Sequence, residues 1–300
     1  MIQLPFLLAA LLGLTLATAP DSADNPATPE AAPITINKLD APARLTVRQP
    51  SHILRAEEAA RVHIDYTPGA GQTWYFDAAG NPADSATPGG FYRNILGTTA
   101  DGRAVGQDFY QDSGKAQTAP FILTPGADPH SFTNDSIDSK VVWYREDGSI
   151  SAIQDYRNGT PTSRWNYYRD GILALQLPPE NDSIREDPAD PYLAIGALAR
   201  GLRFYYPDGS LMSFGLNQDG ERSQLLYRAD GSPLIALLVN DETGGKEIST
   251  WDENGNFVPQ DSVHQEVEAI VERQESLLDA MNHDAQPLIE ADSDSTASGE

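Results

Sequence analysis

From Trp74 to about Val258 the apolar positions come in short bursts that open on aromatic residues and close on Asp or Asn followed by Gly. Trp74-Tyr75-Phe76-Asp77-Ala78-Ala79-Gly80, Trp143-Tyr144-Arg145-Glu146-Asp147-Gly148, Tyr156-Arg157-Asn158-Gly159 and Tyr205-Tyr206-Pro207-Asp208-Gly209 show the pattern. Gly114, Gly171, Gly231 and Gly255 close further copies. The glycines at 148, 159 and 171, and again at 209, 220, 231, 244 and 255, recur every 11 to 13 residues. That leaves about six or seven residues per strand, too few for a crossover helix, so successive strands must pair antiparallel. In Tyr206-Pro207-Asp208-Gly209 the proline presets φ and the glycine supplies a left-handed residue, the chemistry of a type I turn closed by a G1 bulge. The expected fold is mostly β, an antiparallel hairpin meander or repeat array, single-layer or solenoid-like.

Breaks in this rhythm divide the chain. Residues 46–130 form an N-terminal β region and 131–260 the main hairpin block, with 117–139 separating the two and a Pro-rich, acidic insertion at 178–200 containing a short helical turn near its end. Ser51 to Val62 has helix-favouring composition and predicts one helix. Beyond Asp261, Val263, Val267, Ile270, Leu277 and Met281 recur at steps of three and four, with Gln274 in the remaining position. They predict an amphipathic helix over 261–282, opened by a capping box at Ser262 and Gln265 and docked on the sheet rather than used for dimerisation. Residues 283–300 are expected to be a disordered acidic tail.

The first 19 residues carry an uncharged apolar run followed by small residues, which predicts a secretory signal cleaved near Ala17 or Ala19 and a periplasmic or secreted protein. The run is too short to span a bilayer, so no membrane insertion is expected after cleavage. Residues 20–45, rich in Ala, Pro, Asp and Thr, read as a disordered linker. The net charge of -24 repels phosphate and argues against nucleic acid as a partner. With no cysteine, thiolate chemistry is absent. No nucleophile elbow, phosphate loop or zinc motif occurs, and His52, His63, His130, His264 and His283 share no metal-ligand spacing. No cofactor, no metal and no catalytic residue is expected.

Adjacent rings such as Trp143-Tyr144 point to opposite faces of a strand. Trp74, Tyr75, Tyr110, Trp143, Tyr144, Tyr168 and Tyr206 are therefore candidates for an exposed aromatic row, with cross-strand packing as the competing use. Asp101 to Lys115, with glycines at 102, 106 and 114 around Phe109-Tyr110, resembles the MORN-variant repeat proteins of the YwqK-type antitoxin-like family. Tyr156 to Gly171 is similar, with Ser163 in place of the second glycine. The resemblance implies an antiparallel hairpin array used for protein association. The expected function is thus non-enzymatic binding of an unidentified protein partner in the envelope or outside the cell. A glycan-binding module is the alternative, and a hydrolase a weaker one.

Overall fold

The computed structural model describes residues 43–178, 189–192, 201–218, 221–240 and 243–293. The expected signal, residues 20–42 of the linker, most of the 178–200 insertion with its helical turn, and the turn at Gly220 lie outside the described residues. Strands β1 (Thr67–Phe76), β2 (Pro82–Ala83), β3 (Phe91–Thr98), β4 (Ala104–Tyr110) and β5 (Phe121–Ile122) form one antiparallel sheet, ordered β2-β1-β3-β4-β5. Strands β6 (Lys140–Tyr144), β7 (Ile150–Arg157), β8 (Thr160–Pro161), β9 (Trp165–Arg169), β10 (Ile172–Leu177), β11 (Leu202–Tyr205), β12 (Leu211–Gln218), β13 (Glu221–Tyr227), β14 (Pro233–Asn240) and β15 (Lys246–Thr250) form the second. Its order follows the chain from β15 back to β6, except that β8 pairs only with β7 and β9 takes the next place.

The stretch 117–139 lies between the two sheets and is itself hydrogen-bonded to both. Residues 116–123 pair with β4 on one side, and the Thr118–Trp143 bridge joins the same stretch to β6 on the other. Ala119 donates to the Val142 carbonyl at 2.9 Å and Tyr144 to that of Gln117 at 2.7 Å. The prolines there end strands without ending the pairing, because neighbouring residues still supply the N–H groups.

The turn glycines 80, 114, 148, 159, 171, 209, 231, 244 and 255 all have positive φ. The Tyr206 turn is closed by Gly209 N–H to Tyr206 O and Tyr206 N–H to Ser210 O, both 2.9 Å, and the register slips between Phe204 and Tyr205, as a G1 bulge requires. Asn158 and Asp170 also have positive φ, at 47° and 52°, so these two turns are type I′. In the Asp-Gly-Ser turns the aspartate accepts from the serine. The Asp230 carboxyl is pushed down to about 2, first by the Ser232 hydroxyl and amide.

The large sheet is covered on both faces. Tyr167, Phe204, Met212, Leu226 and Ile235 pack against the C-terminal helix α3 (His264–Ser293). Tyr168, Tyr205, Leu211 and Tyr227 pack against two single turns near the N-terminus, α1 (Ser51–Leu54) and α2 (Ala56–Ala59). The single helix expected over 51–62 is broken because Arg55 is extended (φ -97°, ψ 120°) and bridges Ile172 at the sheet end.

The α3 helix docks on the sheet with the expected face. Gln274, at the polar position in its apolar stripe, is buried, donates to the Ser213 hydroxyl and accepts from Gln224. Two expectations need correction. The chain turns helical already at Gln260, so Ser262 lies inside a 3-10 turn and makes no side-chain cap. The helix also runs past residue 282, to Ser293, and Asp284 is anchored by Arg145 at 2.7 Å and the Tyr167 hydroxyl at 2.8 Å.

The linker, too, ends earlier than its composition implies. Residues 44–60 form a strap across one end of the large sheet. Leu45 N–H donates to Gly231 O at 2.8 Å, Gln49 N–H to Gly209 O at 2.9 Å and Ala56 N–H to Gly171 O at 3.0 Å. Arg44 pairs with Asp230 and Arg48 with Asp208. The turn glycines thus serve as docking points for a second piece of backbone.

Candidate functional site

The seven candidate rings do not assemble into one exposed row. Tyr168 is fully buried, and the other six are half-buried. Their hydroxyls work inside the fold: Tyr168 donates to Ile53 O at 2.8 Å, Tyr206 to Tyr227 O at 2.9 Å and Tyr110 to Tyr144 O at 2.7 Å. Trp143 packs edge-on against Tyr156, and Trp74 lies against His130.

Tyr75 alone joins a row on an outward face, with Tyr92 and Phe109 directly opposite across β3 and β4. Tyr92 and Phe109 join Tyr75 through strand register, which the sequence does not display. These two rings stack on each other at 4.9 Å with planes 7° apart. One face of each ring is thereby covered by the other. The rings of the row pack on one another across the strands.

Burial of these phenols has a consequence at high pH. Desolvation pushes the Tyr110, Tyr206 and Tyr227 hydroxyls up to about 12, and Tyr156, Tyr168 and Tyr192 also rise. Folded-state values above the unfolded 10 mean that this contribution to stability is complete below pH 10 and is lost as pH rises from 10 towards 12. Phenolate absorbance is therefore expected to develop for these groups together with loss of the far-ultraviolet signal. Titration of every tyrosine near pH 10 with an intact fold would contradict their burial.

Two surfaces remain as candidates for binding. The first is the edge of β15, which pairs with no further strand among the described residues. The hairpin bonds Asn240 N–H to Gly245 O and Trp251 N–H to Leu234 O fix the alternation along β14 and β15. Residues 247 and 249 therefore face β14, while Lys246, Ile248 and Thr250 turn their backbone groups outward. The Thr250 carbonyl is taken by Val258 N–H at 3.1 Å. Ile248 and Phe257 are 43% and 46% exposed, two of the large apolar side chains left uncovered, and both lie at this edge. In the smaller sheet the edge strand β2 has two residues and one is Pro82, so that edge is blunted.

The second is a cleft of about 570 Å³ where β5, β6 and β7 meet, lined by Arg103, Asp138, Lys140, Asp155, Tyr156 and Arg157 among others. Arg103 is matched within it by Asp138 at 2.6 Å. Among the described residues no group of three or more His, Cys, Asp or Glu is placed to hold a metal ion, and no helix is long and apolar enough to cross a membrane. Both surfaces offer recognition groups. Compared with protein-family models and with curated proteins, the chain finds no match.

Proposed function

We propose that the protein is non-catalytic and binds another polypeptide by strand addition at β15. The open edge carries this reading: outward N–H and C=O groups at Lys246 and Ile248, beside an exposed Ile248 side chain, are what an extended partner segment uses for affinity and register. The net charge of -24 favours a basic partner and makes association salt-dependent. The apolar N-terminal run and the MORN-like hairpins are consistent with an exported, association-type role, and export is part of the proposal.

Ile248→Pro tests it with little risk to the fold, because the N–H removed faces away from β14. The wild-type chain is expected to retain a polypeptide from envelope extract, and the variant to lose it at an unchanged melting temperature. Equal retention by the variant, or recovery of polysaccharide alone, would refute strand addition.

A further inference from the structure

Two hairpins in this chain share a local construction and differ at one point. In Gln107-Asp108, the Asp108 N–H donates to the Thr118 hydroxyl at 3.0 Å and the Gln107 side chain to Thr118 O at 3.0 Å. In Gln154-Asp155, the Asp155 N–H donates to the Ser163 hydroxyl at 2.9 Å and the Gln154 side chain to Ser163 O at 3.2 Å. Across the strand, Asp108 faces Arg93 and Asp155 faces Lys140. Both pairs occupy non-hydrogen-bonded positions of their ladders, as the flanking bonds Gln111 N–H to Gly90 O and Tyr156 N–H to Ser139 O show. Opposed side chains approach closest there.

In the first hairpin the acid and base meet. Arg93 grips Asp108 through two bonds of 2.7 and 2.9 Å, under the rings of Phe76, Phe121 and Phe132. Room for Phe121 comes from Gly106, whose absent Cβ would lie 3.3 Å from that ring. In the second hairpin the matching position is Ile153, packed into the core below. Lys140 is drawn away to Ala59 O at 3.0 Å, and the space over Asp155 is the cleft. Among the described residues no hydrogen bond or ion pair engages the Asp155 carboxylate, nor the exposed guanidinium of Arg157 two residues along the same face.

The geometry points to a ligand site that takes a zwitterion. Asp155 receives a guanidinium or ammonium, as Asp108 receives Arg93, and Arg157 with the remaining protons of Lys140 receives a carboxylate. With Arg103 and Asp138 satisfied by each other, these three charges are what the cleft presents. A free basic amino acid and the C-terminus of a polypeptide ending in a basic residue carry the same pair of groups. The site is separate from the β15 edge, so either can fail without the other.

Calorimetry on the full chain with four probes tests this: L-arginine, its decarboxylated analogue agmatine, a short peptide ending in arginine, and that peptide amidated at its C-terminus. L-arginine, the peptide or both are expected to bind, and to bind roughly tenfold or more tighter than the partner lacking the carboxylate, the scale of one lost charge-assisted bond. Binding by the free amino acid alone assigns a small ligand; tighter binding by the peptide assigns a polypeptide terminus. Asp155→Asn and, independently, the exposed Arg157→Gln should each weaken binding by a similar factor. No binding by either carboxylate-bearing probe, equal binding by agmatine and the amidated peptide, or binding indifferent to Arg157→Gln would overturn the assignment.

Discussion

Replacing Asp108 by alanine is expected to destabilise the protein by about 3–5 kcal/mol, the cost of leaving a buried charge without its partner. Arg93 is only 2% exposed, and its guanidinium lies among three rings with Asp108 as its counter-ion. The carbonyls of Ser131 and Pro129 accept from its other nitrogen at 2.9 and 3.4 Å, and they cannot neutralise it. The pair as a whole need not be stabilising, since both ions are desolvated. Arg93→Met combined with Asp108→Leu should therefore recover most of what Asp108→Ala loses, giving a coupling of several kcal/mol in a double-mutant cycle. Urea unfolding measures it. A loss of under about 1 kcal/mol for Asp108→Ala would mean that water reaches Arg93 and the aromatic cage is open.

That ion pair marks the boundary of what the sequence could reveal. Turns were readable because Asp-Gly and Asn-Gly act through their own φ and their own side chains, and the helix face because its period is local. Even Gln274 could be placed on that face, although its partners Ser213 and Gln224 could not be named. Arg93–Asp108 and Lys140–Asp155 depend on register between strands, and a shift of one residue would turn each side chain to the other face. The aromatic candidates failed for the same reason. A ring's presence in a strand is visible, but whether Tyr92 turns its face to Phe109 or to solvent is decided by the neighbouring strand. Composition misled at both ends of the described chain. Polar Asp284 and Arg44 fall in stretches whose composition reads as disordered, yet each pins its segment to the sheet by a charged contact.

The turn glycines offer the sharpest test of the strap. Gly148 and Gly231 have nearly the same φ, 87° and 81°, and both close an Asp-Gly turn. A Cβ at Gly148 would meet open space, whereas at Gly231 it would lie 1.8 Å from the Leu45 carbonyl oxygen. Gly148→Ala should cost only the left-handed conformation, about 1–2 kcal/mol. Gly231→Ala adds a steric conflict that backbone must yield to, bringing the total to roughly 2–5 kcal/mol. The strap is the part that yields. The Leu45 amide, bonded to Gly231 O at 2.8 Å, should then lose hydrogen-exchange protection in Gly231→Ala and keep it in Gly148→Ala. The Arg44 contacts to Asp230 and Glu253 O would go with it. If the two alanine variants unfold at the same urea concentration and protect Leu45 equally, residues 44–60 do not hold the sheet end. If they differ as described, the spacing that reads as a row of hairpin turns also spaces the anchor points of the strap that crosses them.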